Sequence, residues 1–189
     1  ALTTAQVLAL GTEQVAALET RDFVLFATNR IVAMETHQFA ALRTDEVAAM
    51  TTAQLGVMSS ADLRTWQSAQ IVALTTAQLA SLNTNQIANL GTEQIAAMTT
   101  AQIVGLATQQ VAALTTAEVM ALKTAQIAAM ETRDFAVLAT DRIAVLSSSQ
   151  MAALTSAEIV AFTTAQAAVL SSSQTASLSG SQVAAFQTA

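Results

Sequence analysis

Large apolar side chains recur at every eighth position of the chain, from Leu2 to Phe186 without a gap. A fixed period over a whole chain is typical of repeat architectures, in which each repeat buries its apolar face only against neighbouring repeats. We therefore predict one continuous array over residues 1–189, with about 23 octads and no internal domain boundary.

Each octad has the same order of polar and apolar positions, and the first complete one reads TTAQVLAL from Thr3 to Leu10. The second position is Thr or Ser in every octad except the one with Gly180, and the fourth is nearly always Gln, Glu or Asp. The fifth is aliphatic or Phe until the last octads, the sixth and seventh are mostly Ala, and the eighth is large and apolar. The fifth and eighth residues are three apart, so they share one face of a helix.

Three conformations compete for this pattern. One continuous helix would rotate its apolar stripe by about 80° per octad, and the heptad and eleven-residue periods of coiled coils are not matched. A flat strand would place the fifth and eighth residues on opposite faces. A β-solenoid remains an alternative, although the Gly, Asn or Asp that it needs at fixed turn positions are missing.

The pattern favours an all-α, narrow solenoid with one very short helix, of about five or six residues, in each octad, stabilised only by stacking on its neighbours. The second-position Thr is a suitable N-cap, and the capping-box spacing also appears where the first position is Thr or Ser, as between Thr3 and Gln6.

Charged residues follow a second period. We number the octads from the one that begins at Thr3. At first positions, acidic residues lie in odd-numbered octads and basic residues in even-numbered ones, whereas at third positions the signs are reversed. The segment from Glu19 to Met34 also resembles the segment from Glu131 to Leu146, fourteen octads later. From these observations we predict two octads, or 16 residues, per solenoid turn, with acidic and basic corners facing each other.

Composition excludes some partners. The net charge is −6 and only 11% of residues are charged, which disfavours nucleic acid and anionic membrane surfaces. Thr and Gln interrupt every octad, so we expect no membrane span. Cysteine is absent, which excludes disulfides and thiolate metal sites and is compatible with secretion.

The chain starts and stops inside octads, so we expect a stretch of a longer array or a protomer that associates end to end.

Few residues are candidates for chemistry. His37 is the single histidine, without the context of a catalytic triad, and Asp45, Glu46 and Asp62 lack the spacing of a calcium loop. We therefore predict no catalytic, cofactor-binding or metal-binding residues and no enzyme activity.

Two regions depart from the octad pattern. The irregular octad 59–66 contains Arg64 and Trp66, which we interpret either as a local bend with Trp66 in the core or as a contact point for a partner. The repeats are degenerate over residues 167–189, where Ala167 and Thr175 occupy core positions.

The segments LTTAQVLAL, LTTAQLASL, MTTAQIVGL and LTTAEVMAL, which begin at residues 2, 74, 98 and 114, carry a resemblance that covers the whole chain. They are similar to repeats of very large secreted bacterial surface proteins, described as adhesins or haemagglutinin-like proteins. The resemblance implies an extracellular or cell-surface location and a structural role, such as a filament or adhesin stalk. A repetitive binding surface for protein, carbohydrate or ice is the alternative.

Overall fold

A computed structural model describes residues 2–186, and these residues form short α-helices with no β-strand among them. The chain divides into two compact units, Ala1–Met98 and Thr99–Ala189. The first unit contains α1 (Thr4–Leu8), α2 (Thr12–Ala16), α3 (Thr20–Val24), α4 (Thr28–Val32), α5 (Thr36–Ala40), α6 (Thr44–Ala49), α7 (Thr52–Gly56), α8 (Ser60–Arg64), α9 (Ser68–Ala73), α10 (Thr76–Ala80), α11 (Thr84–Ala88) and α12 (Thr92–Ala97). The second contains α13 (Thr100–Val104), α14 (Thr108–Ala113), α15 (Thr116–Ala121), α16 (Thr124–Ile127), α17 (Thr132–Val137), α18 (Thr140–Ala144), α19 (Ser148–Ala152), α20 (Ser156–Val160), α21 (Thr164–Ala168), α22 (Ser172–Ala176) and α23 (Gly180–Phe186).

The predicted fold class is confirmed: each octad forms one short helix, and the β-solenoid alternative is wrong. The position of the N-cap is corrected by one residue. The first residue of the octad, such as Thr51, has extended backbone angles and accepts a hydrogen bond from the N–H of the fourth, Gln54, at 3.2 Å. The Gln54 side chain in turn accepts from the Thr51 N–H at 2.8 Å, which completes the predicted capping box. The second-position Thr52 is the first helical residue, so its hydroxyl does not cap the helix.

The predicted two-octad turn is wrong. Within each unit, every helix from the fourth onward packs on the helix three places earlier along the chain, as α4 does on α1 and α16 does on α13. Because successive helices begin eight residues apart, one turn contains three helices and 24 residues rather than two helices and 16. Each unit is thus a solenoid with three stacks of helices, and the first stack of the first unit consists of α1, α4, α7 and α10.

Part of the charge pattern on which the two-octad prediction rested has a local cause. Acid and base pair within a single octad, between the first and third positions. Glu19 lies 2.6 Å from Arg21, and Arg43 lies 3.1 Å from Asp45. An acidic first position therefore accompanies a basic third position in the same octad, whatever the number of octads in a turn. These local pairs account for the opposite signs of the first and third positions within one octad, and they need no contact between turns.

The core of each unit is the set of fifth- and eighth-position side chains, as predicted. The fifth-position residues from Val7 to Ile159 are buried, and so are the eighth-position residues from Phe26 to Phe162. Burial weakens over the described part of the degenerate region, where Ala167 and Leu170 are half-buried and Thr175 is exposed. Residues 187–189 of that region lie outside the described residues. The division into two units leaves the prediction of one continuous array untested.

Candidate functional site

The fourth-position glutamine is the most specialised side chain of the repeat, and Gln150 in α19 illustrates its geometry. Its Oε1 accepts from the Ser147 N–H at 2.8 Å, at the start of its own helix. Its Nε2 donates to the carbonyl oxygens of Val119 at 2.9 Å and Leu122 at 2.8 Å, at the end of α15. One buried amide thus satisfies a donor at a helix N-terminus and two acceptors at the C-terminus of the helix four places earlier.

The same contacts recur in both units, and we call them the glutamine ladder. In every case the amide Nε2 reaches the carbonyl oxygens of residues 28 or 31 positions earlier, at distances between 2.6 and 3.3 Å. Its members include Gln38, Gln54, Gln70, Gln78, Gln86 and Gln94 in the first unit and Gln150, Gln166, Gln174 and Gln182 in the second. The ladder joins successive turns through side chain–backbone bonds, and this role was missed in the sequence.

In two octads without a fourth-position glutamine, an arginine supplies the donor. Glu46 has no N–H in its side chain, and the guanidinium of Arg43 donates instead to the carbonyl oxygens of Ala16 and, at 3.2 Å, of Leu18. Arg142 stands at a fourth position, and its Nε donates to the Leu114 carbonyl at 3.0 Å. These substitutions preserve hydrogen bonds to the carbonyl oxygens at the end of the earlier helix.

Three acidic side chains at fourth positions are buried with one oxygen that lacks a hydrogen-bond partner. Oε1 of Glu46, Oε1 of Glu118 and Oδ1 of Asp134 have no hydrogen-bond partner among the described residues. Burial raises the pKa of Glu46 and of Asp134, although hydrogen bonds from the N–H groups of Arg43 and Glu131 oppose that shift. The exposed Asp45 behaves differently, because its hydrogen bond to Arg43 lowers its pKa to about 2.

The remaining candidates for chemistry lie apart from one another. His37 is exposed, and its Nδ1 lies 3.2 Å from the Glu35 carboxylate. Asp45 and Asp62 each accept a hydrogen bond at 3.0 Å from a second-position threonine of the preceding turn, Thr20 and Thr36 respectively. Within residues 2–186 no group of three or more His, Cys, Asp and Glu side chains could hold a metal ion. None of the helices described is long and apolar enough to cross a membrane.

Arg64 and Trp66 take different positions. Trp66 is only 2% exposed, and its indole Nε1 donates to the Phe39 carbonyl at 3.1 Å. Trp66 therefore lies in the core. Its bond to the Phe39 carbonyl is one of the two bonds expected of the ladder glutamine Gln70, and Gln70 makes the other, to the Leu42 carbonyl at 2.7 Å. Arg64 is exposed, and its Nη1 lies 3.3 Å from the Asn89 carbonyl of the next turn. The contact point stays a prediction, with Arg64 as its accessible residue.

The first stack of the first unit presents an almost uncharged surface. Leu8, Val32 and Val57 are exposed along it at intervals of about one turn. Its exposed third-position residues are Ala or Asn, and Arg30 is its single charged residue. The hydroxyls of its second-position threonines do not cap helices, so they face solvent beside these apolar side chains.

A family comparison matches this repeat. The ALTTAQ repeat family matches residues 15–52, 31–64, 47–84, 76–108, 87–124 and 127–164, which together cover most of the chain. No curated protein matches the sequence. The octad resemblance noted in the sequence is thus confirmed at the level of the repeat, and its helical, glutamine-bridged form is the structure described above. The chain belongs to the ALTTAQ repeat family.

Proposed function

We propose that this chain is a structural repeat segment of an extracellular filament or adhesin stalk. The glutamine ladder is the observation that carries the proposal. It joins each turn to the preceding one through buried hydrogen bonds to backbone carbonyls, so a solenoid of this kind can be extended turn by turn. Such bonds hold the spacing between turns constant, which is what a spacer or stalk requires.

We propose no catalytic role. The buried fourth-position side chains are occupied by helix capping and by bonds between turns, as Gln86 shows at 2.8, 2.9 and 2.9 Å. The three acidic side chains that leave an oxygen without a hydrogen-bond partner lie in three different octads. The extracellular or cell-surface location rests on the resemblance to repeats of secreted surface proteins. The low content of charged residues and the absence of cysteine are compatible with it.

A turn-insertion series tests the structural proposal. Duplicating residues 67–90 adds three octads, or one turn, without changing the order of the stacks. We expect each duplication to lengthen the particle by the same increment, about 8–10 Å, the usual distance between packed helices. Small-angle scattering measures the largest dimension, and circular dichroism checks that helical content grows in proportion. If the width of the particle grew in proportion to its largest dimension, the result would contradict a spacer function.

Location needs a separate measurement. An epitope-tagged gene is expressed in its native cells, and intact cells are treated with protease before the tag is detected. Loss of the tag from intact cells supports a surface location, whereas protection until lysis contradicts it.

A repetitive binding surface is the second candidate, because the first stack offers apolar side chains and free threonine hydroxyls with little charge. Glycan arrays test binding of carbohydrate, pull-down with purified surface proteins tests binding of protein, and thermal hysteresis tests binding of ice. The matched variant is Val32→Glu, which places a charge in the middle of the stack. Binding that this variant leaves unchanged would not come from this surface.

A further inference from the structure

Two buried acidic residues occupy ladder positions on successive turns of the second unit. Asp134 in α17 and Glu158 in α20 stand at fourth positions and are 1% and 4% exposed, and α20 packs on α17. Each caps its own helix as a glutamine does, because Asp134 accepts from the Glu131 N–H at 3.2 Å and Glu158 accepts from the Thr155 N–H at 2.6 Å. An ionised carboxyl has no hydrogen to donate, so neither side chain can bond to a carbonyl of an earlier turn.

The carbonyl oxygens that a glutamine would reach from these two positions have no donor. Ladder glutamines bond to the carbonyl 28 positions earlier, which is that of Leu106 for Asp134 and that of Met130 for Glu158. Leu106 and Met130 are buried, and their carbonyls accept no hydrogen bond from the residues that the structure describes. Oδ1 of Asp134 also has no hydrogen-bond partner in this part of the chain. Buried acceptors are thus left on both sides of the contact, which is unfavourable.

A protonated carboxyl restores the missing donor. One of its oxygens accepts a hydrogen bond and the O–H of the other donates one, which is the arrangement of a glutamine amide. Glu158 has the length of glutamine, so its O–H corresponds in position to the Nε2–H of a ladder glutamine. Asp134 is one methylene shorter, and it gains chiefly because protonation removes a buried charge.

We propose that Asp134 and Glu158 make the second unit acid-stabilised: on protonation, Glu158 becomes a ladder donor to the Met130 carbonyl and Asp134 loses its buried charge. The protons come from solvent, and no covalent bond within the chain framework changes. This inference goes beyond the structural role proposed above, because it concerns how the solenoid responds to acid.

Few charged groups face Asp134. Glu131 and Arg133 of its own octad pair with each other, and Nε of Arg133 lies 4.0 Å from Oδ1 of Asp134. The helix on which α17 packs, α14, and the helix before the facing Leu106 carbonyl, α13, carry no charged residue. Burial raises the pKa of Asp134 and prevails over the Glu131 N–H, Arg133 and the Thr108 hydroxyl, which lower it.

The surroundings of Glu158 are also poor in charge. Of the two helices packed against α20, α23 has no charged residue and α17 contributes Arg133 and Asp134. The octad that ends at Met130 carries only Lys123, which is exposed, and α19 and α21 carry no charged residue. Among the described residues no ion pair reaches the Glu158 carboxylate. No base therefore supplies the donor that the carboxylate lacks.

The direction of the pH effect follows from linkage. Because the pKa of Asp134 is raised in the folded chain, the folded state takes up a proton at a pH where the unfolded chain is still ionised. Stability therefore rises as the pH falls through the folded-state pKa, and the gain is complete below the ordinary carboxyl value of about 4. Asp141 acts in the opposite direction only in stronger acid, because its hydrogen bond from Arg142 lowers its pKa.

Hydrogen exchange of the full chain, measured by mass spectrometry at neutral pH and at a pH of about 4.5, tests the proposal. Protection factors are corrected for the intrinsic effect of pH on exchange, so they report local opening of the fold. In the wild type we expect the amides of α17 and α20 to be at least about tenfold more protected in acid, which corresponds to about 1.4 kcal/mol.

The double variant Asp134→Asn with Glu158→Gln supplies permanent donors at both positions. We expect it to show high protection at both pH values, with most of the acid response lost. The matched control is Glu93→Gln, which removes an exposed carboxylate from a third position and should keep the wild-type response. Equal protection of the wild type at both pH values would overturn the proposal, and so would a double variant that keeps the whole response.

Carbon-13 NMR of the side-chain carboxyl groups identifies the residues that bind the protons. We expect the Asp134 and Glu158 signals to shift over the same pH range in which protection rises. A Glu158 carboxyl that stays ionised throughout that range would overturn its role as a donor. The turn-insertion series does not depend on this outcome, because a solenoid without an acid response still lengthens by one increment per turn, so the two ideas fail separately.

Discussion

Replacing Gln150 tests the energetic weight of one rung of the glutamine ladder. In Gln150→Met the side chain keeps its length and loses the two Nε2 bonds of 2.9 and 2.8 Å to Val119 and Leu122. It also loses the 2.8 Å bond that Oε1 accepts from the Ser147 N–H, which is worth about 1 kcal/mol. The Val119 carbonyl keeps a bond from the Leu122 N–H, so its loss is about 1 kcal/mol. The Leu122 carbonyl is left buried and unsatisfied, at about 1–3 kcal/mol. We expect the free energy of unfolding to fall by about 3–5 kcal/mol.

Gln150→Glu sharpens the test, because the carboxylate keeps the bond from the Ser147 N–H but turns an oxygen towards two carbonyl oxygens. At neutral pH we expect a loss at least as large as that of Gln150→Met. In mild acid the protonated carboxyl regains a donor, so stability recovers relative to the Met variant.

Urea denaturation followed by circular dichroism, at neutral and acidic pH, measures both variants. Gln109→Glu is the matched control, because Gln109 is an exposed third-position residue of the same unit and should change stability little. Equal losses at Gln109 and Gln150, or a loss in Gln150→Glu that does not depend on pH, would refute the ladder as an energetic link between turns.

Three further predictions concern single side chains. Asp134→Asn should raise stability at neutral pH by about 1 kcal/mol, because one buried carboxylate oxygen lacks a partner. Since burial raises the folded-state pKa of Asp134, the wild type regains this stability in acid, and the two urea curves should converge below pH of about 4. Trp66→Phe should cost about 2 kcal/mol in denaturation, through the lost 3.1 Å bond to Phe39 and a smaller ring, and unperturbed stability would argue against a core role. Thr51→Ala should lower the thermal midpoint by removing about 1 kcal/mol of N-cap stabilisation, whereas Thr52→Ala should leave it nearly unchanged; the opposite ranking would restore the second position as the cap.

The octad period was sufficient to predict the helices but not the solenoid turn. The three-residue spacing of Val7 and Leu10 requires a helical face, whichever way the chain bends afterwards. The bend depends on the extended backbone around each first-position residue, such as Thr75 with φ −71° and ψ 159°. Turns of two, three or four helices all share a period of eight, so periodicity alone cannot choose among them. The charge pattern was misleading because ion pairs such as Glu19 with Arg21 lie within one octad, so their alternation carries no information on which octads are neighbours in the solenoid.

The candidate site was only partly visible in the sequence. A glutamine such as Gln86 is a reasonable first-turn helix residue, and that interpretation hid its second role. Burial was the missing information, because a buried amide must satisfy both its oxygen and its nitrogen. One signal existed: Arg142 replaces glutamine at the same fourth position, and its Nε makes the corresponding bond to a carbonyl. Arg at this position indicates a role for a hydrogen-bond donor, but Glu and Asp at other fourth positions fit only the capping role, so the signal in the sequence was mixed.

The side chain–backbone character of the glutamine ladder has an evolutionary consequence. Each Nε2 recognises carbonyl oxygens, which every residue type carries, so an octad can follow any other octad without matched mutations. Genes of this kind can therefore gain or lose single octads by unequal recombination and still encode a continuous solenoid. The related segments that begin at Glu19 and Glu131 lie fourteen octads apart, which is not a whole number of three-octad turns. Each octad gained or lost moves all later surface residues to the next stack, so length and surface pattern change together while the core stays the same.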